Sequence, residues 1–526
     1  MNDRIRSGQQ ITNIRNLMQL FRIPNKSHKE GELFILPLNP FPVLTARNPL
    51  QPAKKGKNPV PEIHLLTLYN KPVTMKTYDV IIIGGGPAAI VTGVTIKKFF
   101  RDKSVLMIKE EADGLVPCGI PYIFHLLGND AGKNKMGPKP FVDLGGEVMV
   151  DTAVKIDKDQ KQVSLKSGEH FGYNKLVFAT GSQPTVPDFI PGHDLQNVYY
   201  VRKSFSYIQE LASKLNGFKN IVIVGGGFIG AEVAEQVAAS NVNVTLIESE
   251  PLCFSKAFSP ELSGIATEAL RHTSINVMTS TLVKELTGEE NRVKQILLAD
   301  GKKIDADAVI FSIGYKANTQ LAKETGLELN RYGDIHVDNY GRSTVKDISA
   351  CGDCAQAFGF LTGRSDVIKL ASTATAEARI LGHNIFGVRI KKCIFGTLGV
   401  FSTEIDGLAM AAAGANETSA EEAGVNLLSA KFTSPDRHPG SLPGVSGLTV
   451  KLYASPVDGS ILGGEAWGGK SVGEIINIIS MAIQKSISVF ELISFQIGTH
   501  PLLTSSPVNN PIIRAAEDLV HQISYE

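Results

Sequence analysis

Two glycine loops carry the most recognisable chemistry in this chain. Gly84-Gly85-Gly86-Pro87-Ala88-Ala89 and Gly225-Gly226-Gly227-Phe228-Ile229-Gly230 stand 141 residues apart. Each follows an apolar run, Tyr78 to Ile83 and Asn220 to Val224, and opens a stretch rich in Ala, Val and Ile. In the pattern Gly-x-Gly-x-x-Gly/Ala, the first glycine permits a tight turn. The second lets the backbone approach a pyrophosphate, and the third small residue lets a helix pack closely on a strand. Gly84, Gly86 and Ala89 fill these places in the first loop, and Gly225, Gly227 and Gly230 in the second. A helix starting there offers free N–H groups and a positive dipole end to the phosphates. One loop implies one dinucleotide. Two imply two, and electrons passed between them.

An acidic residue belongs at the end of the next strand, about 20 residues on, to accept from a ribose hydroxyl. In the second unit, Val244-Thr245-Leu246-Ile247 ends in Glu248, eighteen residues after Gly230. A carboxylate there repels a 2′-phosphate, so NADH is expected and NADPH disfavoured. In the first unit, Val105-Leu106-Met107-Ile108 ends in Lys109, where the acid belongs. Glu110 is the substitute candidate.

These loops need strands and helices to hold them. From Met75 onward, short β-branched strands at Val80–Ile83, Ser104–Ile108, Leu176–Ala179, Ile221–Val224, Val244–Glu248 and Ala308–Ile313 alternate with helical stretches such as Ala88–Phe99 and Ile229–Ala239. That alternation predicts doubly wound α/β units. The last 135 residues differ. Gly447–Tyr453 and Ser460–Trp467 alternate as antiparallel strands do, and helices are expected at Val472–Gln484 and Ser488–Phe495. The expected fold is α/β: two Rossmann-like doubly wound dinucleotide-binding domains plus a C-terminal α+β domain. Residues 1–74 are rich in proline and basic residues and lack periodicity. They read as a disordered or non-native leader with Met75 as the functional start; a transit peptide is the alternative.

The 526 residues suffice for about three domains. Apolar content of 43% and charge of 20% are those of a soluble globular protein. A net charge of +1 gives no bulk attraction to nucleic acid or an anionic membrane. No uncharged apolar run of about 18 residues exists, so no membrane span is expected. Five cysteines make no disulfide framework and place the chain in the cytoplasm.

Beyond the glycine loops, Ala179-Thr180-Gly181 and Thr344-Val345-Lys346-Asp347-Ile348-Ser349-Ala350-Cys351-Gly352-Asp353 complete a pattern. With them the chain resembles the FAD-dependent pyridine nucleotide-disulfide oxidoreductases over roughly residues 75–526. The resemblance implies FAD at the first loop and NADH at the second. It makes Thr180 and Gly181 part of the crossover between the two domains. It assigns Gly352 and Asp353 to the flavin's ribityl or pyrophosphate region. It places Ser372, in Leu370-Ala371-Ser372-Thr373-Ala374, at a helix start aimed at the flavin's pyrimidine end. The implied domains are 75–193 with 319–388 for FAD, 194–318 for NAD and 389–526 for dimerisation. A homodimer would then build each active site from both chains.

Family members with two redox cysteines carry them five positions apart. This chain has one, in Leu115-Val116-Pro117-Cys118-Gly119-Ile120-Pro121-Tyr122, and so resembles the single-cysteine branch, coenzyme A-disulfide reductase and NADH oxidase among them. The chemistry needs an accessible thiolate of lowered pKa. Cys118-Gly119 at a helix start would supply it through the dipole. Cys253, Cys351 and Cys393 read as small apolar residues, and Cys351-Gly352-Asp353-Cys354 as structural. Zinc would require a second pair, so no metal is expected. Gly498-Thr499-His500-Pro501 resembles the segment that supplies an acid/base histidine across the dimer, which makes His500 a candidate proton donor to a leaving thiolate. Ser505 stands where the family's orienting Glu belongs.

Three functions follow. The first is an enzyme passing electrons from NADH through FAD to a disulfide, persulfide or polysulfide at Cys118. The second is an NADH oxidase or peroxidase in which Cys118 becomes a sulfenic acid. Peroxidases of this branch carry a His in the first loop, where this chain has Pro87 or Ala88. The third is a flavoprotein that hands electrons to a protein partner.

Overall fold

The computed structural model describes residues 75–394 and 396–524, and the leader expected over 1–74 lies outside them. The first unit begins with β1 (Thr77–Ile83), the glycine turn and α1 (Pro87–Phe99), followed by β2 (Val105–Lys109). Next come the short α2 (Ile120–Ile123), β3 (Glu147–Val150) and the long β4 (His170–Phe178). β1 lies between β2 and β4 with all three parallel, and β3 extends the sheet beyond β2. Alternate β1 side chains point to opposite faces. Val80 and Ile82 pack with Ala88, Ala89 and Ile96 of α1, while Ile81 and Ile83 join a second core with Leu106 and Leu176.

The chain then leaves this sheet and builds another. β5 (Val198–Tyr200) is followed by α3 (Phe205–Leu215), β6 (Asn220–Val224) and α4 (Phe228–Ala238). β7 (Asn243–Ile247), α5 (Pro260–His272), β8 (Asn276–Met278) and β9 (Ala308–Phe311) complete it. The strand order is β5-β9-β6-β7-β8, all parallel. β10 (Ile348–Ala350) returns to the first sheet and pairs with the end of β4, and α6 (Ala371–Asn384) packs beside α1. The first unit is therefore discontinuous in sequence, with the second inserted between its parts.

The C-terminal unit is a five-stranded antiparallel sheet of β11 (Phe401–Ile405), β12 (Leu408–Gly414), β13 (Leu428–Pro435), β14 (Gly447–Ala454) and β15 (Ile461–Gly468), ordered β11-β12-β15-β14-β13. One face is covered by α7 (Val472–Gln484), α8 (Val489–Leu492) and α9 (Pro511–Ser524). The helix expected over 488–495 is thus shorter. A capping box between Ser488 and Glu491 starts it, and one turn completes it. Among the described residues, no helix is long and apolar enough to cross a membrane.

Candidate functional site

The two glycine loops have the same geometry. Gly84 and Gly225 hold φ of +130° and +113°, and Gly86 and Gly227 cap their helices at ψ of −174°. Gly84 N–H donates to Ile108 O and Gly225 N–H to Ile247 O, both at 2.8 Å. Added side chains would collide: a Cβ at Gly84 would lie 2.1 Å from Ala179 O, and one at Gly225 2.5 Å from Ser312 O. Gly86 and Gly227 instead face open space. No side chain caps α1 or α4, and the first helical bonds are Ile90 N–H to Gly86 O and Ala231 N–H to Gly227 O. The amides ahead of those bonds, each beside an open glycine, form two cradles for pyrophosphate. These residues fit the two dinucleotides.

At the end of β7, Glu248 accepts the Gly226 amide at 2.5 Å, the Glu250 amide at 2.8 Å and the Ser249 hydroxyl at 3.0 Å. The carboxylate expected at the ribose is therefore seated against its own loop. The first unit differs. Lys109 is buried, its stem lies where a Cβ on Gly85 would sit, and its ammonium donates to Ala112 O at 3.1 Å. Burial pulls its pKa down. Glu110 is exposed in the following turn. The next acid, Glu111, accepts from Ser204 Oγ at 2.5 Å, Phe205 N–H at 2.7 Å and Ser206 Oγ at 2.9 Å. It thereby binds the first unit to the N-terminus of α3, where an anion is stabilised.

Thr180 donates to Asn318 O at 2.6 Å, and Gly181 holds a φ of +69° at the crossover. The Gly352 amide donates to Glu377 at 2.9 Å. Burial pushes Glu377 up to about 7. Asp353 accepts from Ser182 Oγ and pairs with Lys203 Nζ, both at 2.6 Å. Burial acts against its charge, but Lys203 and Ser182 hold the carboxyl below its usual range. Ser372 is exposed in the first turn of α6, which no side chain caps.

Cys118 sits in a single 3-10 turn, Pro117–Gly119, that runs into α2, and it is exposed. The lowered thiol pKa expected of a helix start is not found. The protein packed around the sulfur pushes it up, and the negative charges of Glu232 and Asp353 add to this against the opposing charge of Lys203. A four-residue helix is too short for a substantial dipole. Cys253, Cys351 and Cys354 are buried, and burial raises each of them.

Glu232 lies two residues past Gly230 on α4 and accepts from Thr403 of β11 at 2.8 Å. Burial raises it to about 7. It is a functional candidate that motif reading overlooked, although an acid in an Ala/Val helix beside a glycine loop was a visible signal. Lys203 gave no signal. His500 is exposed, and its bonds stay within its own turn: its amide donates to Thr504 Oγ1 at 3.1 Å, and its Nδ1 accepts from Leu502 N–H at 3.2 Å. Ser505 is buried and accepts from Ser434 Oγ at 3.1 Å. The two glycine cradles stand on two parallel Rossmann-type sheets, and α2, which the Cys118 turn enters, packs on α4: Ile120 and Ile123 share one core with Ala231 and Ala234.

That combination defines a two-dinucleotide flavoprotein reductase. The chain matches the pyridine nucleotide-disulphide oxidoreductase family over residues 78–378 and that family's dimerisation domain over 400–511. It belongs to this family, and its cofactors are FAD and a nicotinamide dinucleotide. It is 30% identical to the NADH oxidase of Methanocaldococcus jannaschii across 84% of this chain and 99% of that protein. It is 29% identical to the CoA-dependent NAD(P)H sulfur oxidoreductase of Pyrococcus abyssi across 75% and 88%. The NAD-dependent persulfide reductase of A. fulgidus superposes with a TM-score of 0.78 at 27% identity, covering 85% of this chain and 83% of that one.

Proposed function

We propose that this enzyme carries electrons from NADH through FAD to a sulfur acceptor at Cys118, the acceptor being a disulfide, persulfide or polysulfide. The observation that carries the reading is that α2, which the Cys118 turn enters, packs on α4, the helix opened by the second glycine loop, through Ile120, Ile123, Ala231 and Ala234. Of the charges felt by Cys118, Glu232 comes from that helix and Asp353 from the segment assigned to the flavin. This supports a thiol set between the two dinucleotide sites. Bound FAD supplies the two-electron relay between NADH and sulfur.

In this scheme the Cys118 thiolate attacks a substrate S–S bond. One thiolate leaves with a proton, and the other half stays as a mixed disulfide until two electrons reopen it. Gly84, Gly86 and Ala89 seat the FAD pyrophosphate, with Thr180, Gly181, Gly352, Asp353 and Ser372 along its flavin half. Gly225, Gly227, Gly230 and Glu248 seat NADH. His500 would serve the leaving thiolate of the other protomer in a homodimer. We place FAD on 75–193 and 319–388, NAD on 194–318 and dimerisation on 389–526, in a cytoplasmic enzyme.

The M. jannaschii relative favours a second reading, in which oxygen is the acceptor. NADH consumption measured anaerobically with coenzyme A disulfide or polysulfide, and aerobically without them, separates the two. Turnover that needs oxygen and ignores sulfur acceptors would refute the first reading.

A further inference from the structure

The turn that carries Cys118 is gripped on both sides by one buried side chain. Gly114 and Leu115 pair antiparallel with Met136 and Lys135, and the next residue along the partner segment is Asn134. There the Val116 N–H donates to Asn134 O at 3.0 Å, and Asn134 Nδ2–H donates back to Val116 O, also at 3.0 Å. The same carbonyl accepts the Gly119 N–H at 3.0 Å, the bond that closes the 3-10 turn Pro117–Gly119. The oxygen of the Asn134 amide lies beyond Cys118, against Gly119: a Cβ added there would stand 2.1 Å from Asn134 Oδ1. The amide thus meets the chain at the residues on either side of Pro117-Cys118.

Asn134 is 7% exposed. The segment leading to it is fixed by Gln209 of α3, which accepts the Ala131 N–H at 2.9 Å and donates to Asn129 O at 3.1 Å. A buried amide costs free energy unless its polar atoms are paired. The backbone bond from Val116 N–H to Asn134 O needs no particular side chain, so the amide supplies something further. It adds a second hold on Val116, in a turn of three residues with the poorer hydrogen-bond geometry of a 3-10 helix. With Val116 and Gly119 both held, the direction of the Cys118 Cα–Cβ bond is set. We propose that Asn134 is a positioning residue for Cys118: its amide holds the turn so that the sulfur meets the acceptor and the source of electrons in one fixed place. This rests on the sulfur chemistry assigned to Cys118 above.

The test compares two rates in FAD-loaded protein. For the first, the protein is treated with coenzyme A disulfide, freed of the excess and mixed anaerobically with NADH. Two electrons break the bond between Cys118 and the CoA sulfur, and the CoA thiolate leaves and takes a proton. Flavin absorbance follows reduction by NADH, and mass spectrometry of the Cys118 peptide follows reopening. For the second, Cys118 of the thiol form is alkylated by iodoacetamide at fixed pH. Asn134→Ala should slow reopening by about tenfold or more while flavin reduction stays within about twofold of wild type. Alkylation should become severalfold faster, because the freed turn admits the reagent. Opposite signs mark a displaced sulfur; a general loosening of the fold would slow flavin reduction as well. If Asn134→Ala loses flavin, Asn134→Leu, close to Asn in shape but without a donor, should show the same pair of changes. Reopening at the wild-type rate, or alkylation that is unchanged or slower, overturns the proposal. A wild type that forms no mixed disulfide counts against the sulfur reading, and the alkylation rates alone then decide the role of Asn134.

Discussion

Glu248 accepts the amide of Gly226, 22 residues earlier, at 2.5 Å, so the residue proposed to select NADH also braces the second glycine loop. A hydrogen bond to a charged group contributes about 1.5–3 kcal/mol. Glu248→Ala should therefore raise KM for NADH by roughly ten- to a hundredfold. It should also narrow the preference over NADPH, because the repulsion of a 2′-phosphate goes with it. Steady-state kinetics with both nucleotides checks this.

Glu111 joins the two nucleotide-binding units through three bonds to the start of α3. Glu111→Ala removes an anion from a helix N-terminus and leaves the Phe205 amide without its partner. Loss of such a cap costs about 1 kcal/mol. Hydrogen exchange should rise at Phe205 and its neighbours, with a small fall in Tm, while exchange in β6 stays at its wild-type rate. Unchanged exchange at Phe205 would show that the clamp does not operate in solution.

Glu232 is raised by burial from its ordinary value to about 7. A carboxyl raised in the folded state favours its protonated form there. Its contribution to stability is full below the unfolded value near 4.5 and is lost as pH rises through about 7. Glu232→Gln should flatten that part of the Tm–pH curve. Above about pH 7 it should also speed Cys118 alkylation severalfold, because the anion that opposes the thiolate is gone.

The C-terminal unit exposes several large apolar side chains. Met481 on α7 is 56% exposed, and Leu503 and Val508, in the segment after His500, are 70% and 76% exposed. Exposed apolar side chains on a unit that matches the family's dimerisation domain are candidates for an interface. Leu503→Asp combined with Met481→Asp should convert a dimer to monomers in light scattering while the FAD absorbance is retained.

Much of the fold was legible because β1 and β6 alternate their side chains between two cores and end in glycines whose conformations other residues adopt poorly. The pairing of β10 with β4 was accessible only through family resemblance, since 172 residues separate Ile348 from its partner Leu176 and no local pattern spans them. Local geometry was legible where spacing encodes it, in the glycine turns at Gly84 and Gly225 and in the strand-end position of Glu248. It was hidden where charge arrives from a distant segment. Lys203 reaches Asp353 across 150 residues, and Glu111 was passed over for Glu110 because position after β2 was the only guide, while the decisive partner lay on α3.

The central claim is that Cys118 joins the redox cycle. The direct measurement is an anaerobic NADH titration of FAD-loaded protein that has been treated with a low-molecular-weight disulfide and freed of the excess. The account predicts about two NADH consumed per FAD in the wild type, one for the flavin and one for the Cys118 mixed disulfide, and about one in Cys118→Ser. A wild type that takes up only one NADH per FAD would contradict it.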